Sequence, residues 1–114
     1  METQLFRLNN TLPRDPNIDA WLLQHRGELA TVARHWFGVM RECGTEFREL
    51  YHDGCPTACF GDFPFAYVNI FASHTNVGFF QGAHLPDPEH LLQGKGRLAR
   101  HIKLKPQTPV DAAA

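Results

Sequence analysis

Apolar residues recur along this chain at two different periods, and the change of period divides it. From Ile18 through Trp21 and Leu22, and again from Leu29 through Val32, Ala33, Trp36, Phe37 and Met40, they fall three and four apart, as on a helix with one buried face. Pro13, Asp15 and Pro16 form a breaker cluster ahead of this pattern, Asn17 is placed to cap it, Gly27 interrupts it and Gly44 ends it. The pattern predicts two helices, or one broken helix, over about residues 17–43. An aromatic stripe at this spacing reads as core rather than as a cofactor site.

After Thr45 the period becomes two. Phe47, Glu49 and Tyr51 alternate with Arg48, Leu50 and His52 in a strand closed by "HDGCP", which holds an Asp-Gly turn pair and a proline, and a hairpin-like connection follows. Phe65 to Ala72 and Asn76 to Gln81 are rich in aromatic and β-branched residues and read as the two central strands. "LPDPEHLLQG" then suggests a proline-bounded helical turn ending on Gly94, and Leu98 to Leu104 alternates as a last strand. Helices first and antiparallel strands afterwards describe a two-layer α+β domain, its N-terminal helices packed on a sheet of about four to five strands; a doubly wound fold is disfavoured. At 114 residues the chain suits one core and one domain.

Residues 52–104, "HDGCPTACFGDFPFAYVNIFASHTNVGFFQGAHLPDPEHLLQGKGRLARHIKL", carry a resemblance. The proline after the first strand, the aromatic strand, "HTNVGFFQGA", "LLQGKG" and "RHIKL" occur in the order found in the YdhG-like family of bacterial domains; Trp21 to Gly44 fits more loosely. The resemblance implies a helix layer on a curved antiparallel sheet, in a group compared with frataxin-like iron chaperones, and it implies no particular activity. The family pattern runs on from the last strand into a C-terminal helix, of which Val110 to Ala114 offer a start without a body. The expectation is a sheet surface left open to a partner, or to a second copy in a homodimer.

Charge changes the picture locally. Residues 1–94 carry six Lys/Arg against eleven Asp/Glu, whereas residues 95–114 carry five against one. A domain that wraps nucleic acid spreads its basic excess over a whole face, and a pI near 6.6 argues against that. Neither a membrane-spanning apolar run nor the pattern of a signal peptide is present, and three cysteines without framework spacing are expected to be reduced, so the reading is a cytoplasmic protein.

The candidate chemistry is modest. His52, Cys55, Cys59 and His74 are the residues able to offer zinc its preferred ligands, but Cys-x3-Cys spacing does not identify such a site, and cysteine in an apolar turn is commonly a small buried hydrophobe. Iron handling calls for carboxylates, and Glu42, Glu46, Glu49, Asp62, Asp87 and Glu89 are scattered. Cys55 beside His52 and Asp53 offers thiol, base and acid, yet neighbours around a turn seldom form an activated nucleophile. "GKGR" lacks the spacing of a phosphate loop, and its glycines have backbone reasons to be there. Lys95, Arg97, Arg100 and His101 nevertheless remain candidates for binding a small anion.

The resulting expectation is a small non-catalytic binding domain without a cofactor, acting on a protein partner or small anionic ligand, with an iron or other metal chaperone as the alternative. Arg100 shares an apolar row with Leu98, Ile102 and Leu104, so it is expected half-buried and held within the domain, Asp53 or Glu49 being the anticipated partners.

Overall fold

The structure, a computed structural model, describes residues 7–87 and 90–106. Helix α1 spans Pro16–Gln24. Its cap is Asp15 rather than Asn17: the Asn17 amide donates to Asp15 Oδ1 at 2.9 Å, and Pro16 occupies the first helical position, where its missing N–H costs nothing. Helix α2 spans Glu28–Arg41 and is separated from α1 by Gly27, whose φ of +93° is readily accessible only to glycine.

Five strands follow: β1 (Phe47–His52), β2 (Cys55–Phe60), β3 (Phe63–Ile70), β4 (Thr75–Phe79) and β5 (Arg100–Leu104). They form one open antiparallel sheet in chain order. The β1–β2 hairpin turns on Asp53 and Gly54, both at positive φ (50° and 79°), the conformation that matches the twist of the flanking strands. Strand β2 was hidden in the sequence. "CPTACF" is buried from Cys55 to Cys59, so it shows no alternation, and Pro56 argues against a strand. The fold tolerates Pro56 because the ladder to β3 begins one residue later, at Thr57 opposite Tyr67.

The described residues of "LPDPEHLLQG", 85–87 and 90–94, are not helical, against what its prolines suggest. A 3₁₀ turn falls earlier, at Gly82–His84; the Asp87 carboxylate accepts the amides of Leu91 and Leu92, and Gln93 forms an antiparallel bridge to His101. Gly94, at φ +126°, therefore opens a loop that returns the chain into β5.

Both helices cover the same face of the sheet. Ile18, Trp21 and Leu22 of α1 and Ala33, Phe37 and Met40 of α2 form one core with Ala58, Ala66, Val68, Val77 and Leu104. Fully burying a side chain the size of Phe37 contributes roughly 1.5–3 kcal/mol. The free edge of β1 is occupied by the chain before α1: Leu12 and Glu49 exchange backbone hydrogen bonds, and the Tyr51 amide donates to Asp15 Oδ2 at 2.8 Å. No helix among the described residues is long and apolar enough to cross a membrane. Residues 107–114, where a C-terminal helix start was anticipated, lie outside the described residues.

Candidate functional site

The residues that chemistry alone singled out do not converge. Cys55 and Cys59 lie four residues apart on β2, about 13 Å at the rise of a strand, so one ion cannot bridge them. His52 faces Cys55 across the β1–β2 hairpin and lies 3.3 Å from Asp53, whereas His74 belongs to the separate β3–β4 turn, stacked on Phe71. Among the described residues no three histidine, cysteine or carboxylate side chains gather closely enough to hold a metal ion. Burial pushes both thiols up to about 11, with the nearby Asp53 adding to the effect at Cys55 and Asp62 and Glu49 at Cys59, which leaves them protonated at neutral pH.

The basic stretch behaves as the wall of a turn. Arg100 is half-buried, as anticipated, but neither Asp53 nor Glu49 is its partner: its Nη1 donates to the carbonyls of Gly96 and Ala99. The reason is topological, since the meander puts β1 and β5 at opposite edges of the sheet. Adjacent residues of a strand point to opposite faces, so Arg100 and His101 cannot share one anion. Partial burial, together with the charges of Lys103 and His74, holds His101 below its ordinary value of 6.5. Lys95 and Arg97 project from the exposed loop.

The acid expected to hold Arg100 is taken by another cation. Glu49 is fully buried on the helix-covered face of β1, and both its oxygens receive Arg41 of α2 at 2.8 Å. The Asp15 amide also donates to Glu49, and Arg41 reaches Asp19 of α1 at 3.1 Å. Each carboxylate thus has a donor, and the cluster joins both helices to β1. With these donors engaged inside the fold, the cluster reads as architecture.

A cavity of about 390 Å³ lies instead at the end of the sheet where β2 turns into β3. Phe60 and Phe63 flank that turn, Phe65 follows within β3, and Phe79, Phe80 and Gln81 form the opposite wall at the end of β4. Pro64 and Leu85 complete the lining, in which Gln81 is the single polar side chain. Five of the chain's nine phenylalanines therefore converge here.

A β-bulge assembles this group. Ala58 pairs with Ala66 but Cys59 pairs with Pro64, so Phe65 is an extra residue in β3. That is how Phe65 and Ala66, neighbours in sequence, both pack against the core. Phe65 then stacks on Phe60, ring centres 4.1 Å apart and planes 12° from parallel, and meets Phe47 edge-on at 6.4 Å. The far wall is fixed from the β5 side. Phe80 donates its amide to Phe65 O, Ala83 donates to Leu98 O at 2.8 Å, and Leu85 closes the 3₁₀ turn on Gly82 O. Gly82 is required by close approach, because a Cβ there would stand 2.4 Å from Arg100 Cβ. The basic stretch thus braces the pocket from behind.

Sequence reasoning missed this site. Its signal was the crowding of phenylalanine between residues 60 and 80, which reads equally well as ordinary strand core. No family model, curated protein or solved structure matches the chain.

Proposed function

We propose that this protein is a small non-catalytic binding domain that takes the apolar, ring-bearing part of a ligand into the phenylalanine pocket. The observation that carries this reading is the convergence of five phenylalanines on a cavity of about 390 Å³ whose lining offers one amide and no acid, base or nucleophile. That volume lies within the roughly 300–1,000 Å³ of small-molecule sites, which combine apolar walls with few polar groups. Phe60 and Leu85 are 39% and 43% exposed, which gives the cavity an apolar mouth. Membership of the YdhG-like family, proposed from the motifs of residues 52–104, accords with a binding role; metal handling rests on that resemblance alone.

The test is a titration of the ¹⁵N-labelled protein with a neutral bicyclic probe, 2-naphthalenemethanol. Saturable shifts are expected at the amides of Phe65, Phe80, Gln81 and Leu85. Phe60→Ser and Leu85→Ser, at positions exposed enough to spare the fold, should each weaken binding about fivefold or more through lost apolar contact. Absence of saturation, or shifts confined to another surface, would overturn the reading.

A further inference from the structure

We infer that the ligand of the phenylalanine pocket is an aromatic carboxylate, its ring lying among the phenylalanines and its anionic head at the mouth beside Arg7. This deepens the pocket reading and rests on it. Three observations point the same way.

First, the walls favour a flat ring. Phe60 and Phe65 already form a parallel stack, so an aromatic guest meets a planar face and ring edges whose charge distribution suits its own. Second, a cationic side chain stands beside the phenylalanines. The Arg7 guanidinium lies over the Phe63 ring, 4.8 Å from its centre, and Arg7 is itself exposed and in no ion pair among the described residues. On the opposite wall Arg100 is the cross-strand neighbour of Phe79, although its guanidinium already serves the carbonyls of Gly96 and Ala99. Third, the neighbouring carboxylates leave Arg7 unpaired among the described residues: Asp62, which precedes Phe63 and whose carbonyl accepts the Leu8 amide, is exposed and in no ion pair, and the Asp87 carboxylate is occupied by the Leu91 and Leu92 amides.

A guanidinium held over a ring keeps its N–H edges free for a carboxylate, which it can grip with two parallel hydrogen bonds. Gln81 supplies the remaining polar contact available in the lining. A carboxylate outside the apolar chamber avoids the cost of burying its charge, while its ring gains from leaving water.

The experiment compares 2-naphthoate with its neutral near-isostere 2-naphthamide by calorimetry on the intact chain, in low and high salt, for the parent protein, Arg7→Gln and Arg7→Lys. Naphthoate is expected to bind the parent about fivefold more tightly than naphthamide, the size of a partly screened charge pair. The preference should shrink in high salt, disappear in Arg7→Gln and persist in part in Arg7→Lys. Equal binding of the two probes to the parent would overturn the carboxylate inference and leave the pocket reading standing. A preference undiminished in Arg7→Gln would overturn the role of Arg7. Binding of neither probe would overturn the pocket reading and this inference together.

Discussion

Arg41 and Glu49 meet as a two-pronged ion pair, Nε to Oε1 and Nη2 to Oε2 each at 2.8 Å, beneath helices that leave the glutamate with no exposed surface. The guanidinium also lies over the Phe37 ring, 5.0 Å from its centre, so charge and core packing depend on one side chain. Removing one partner would leave the other charged and buried. Arg41→Ala is therefore expected to destabilise the fold by about 3–5 kcal/mol, and the double replacement Arg41→Leu/Glu49→Leu by less. Urea unfolding of the single and double variants checks both statements.

Asp19 gives the same cluster a pH dependence. Partial burial pushes its carboxyl up, but the hydrogen bond from Arg14 and the charge of Arg41 outweigh burial and hold it below its ordinary value of 3.8. A group depressed in the folded state contributes stability that is present above its ordinary value and lost as the pH falls through the folded one. Asp19→Asn should thus lower the urea midpoint at pH 6, and the gap from the parent should narrow as the pH falls below 4. A gap that widens on acidification would contradict the assignment.

The three cysteines should separate by reactivity. All are outside disulfides, Cys43 is exposed, and burial raises Cys55 and Cys59 to about 11. Iodoacetamide at pH 8 is expected to label Cys43 rapidly, and the other two only at the rate of unfolding or local opening. Mass spectrometry of a labelling time course reads this directly.

Gly82 tests the bracing of the pocket wall. An added methyl would meet both the Cβ of Arg100 at 2.4 Å and its backbone nitrogen at 2.9 Å, and the latter cannot swing aside. Gly82→Ala should cost roughly 1–3 kcal/mol, in the range of overpacking, and should weaken binding of the naphthalene probe in parallel. At Gly96, where a Cβ would meet nothing closer than 3.7 Å, the same change should do little, as thermal unfolding will show.

Arg100 and Lys103 differ although both are basic residues of β5. Arg100 ties the loop before the strand through two carbonyls, while Lys103 is exposed. Arg100→Ala should cost roughly 1 kcal/mol and speed amide exchange in residues 94–99, whereas Lys103→Ala should leave both unchanged.

What the sequence determined by itself is what local chemistry governs. The three-to-four spacing from Ile18 to Met40 is sufficient for two helices with one buried face, the break at Gly27 for their separation, and Asp53-Gly54 for a tight hairpin, because each depends on residues within a turn or two of one another. The two-layer α+β arrangement followed from their order. Tertiary structure decided the rest. Strand β2 lacks alternation because helices and neighbouring chain bury nearly all of it, so its period vanished from the sequence. Glu49 pairs with Arg41 rather than Arg100 because strand order, which no local pattern encodes, sets β5 at the far edge. The pocket needed the bulge at Phe65: strict alternation would send that ring to the face opposite Ala66, and the one-residue shift against β2 turns it toward Phe60 instead.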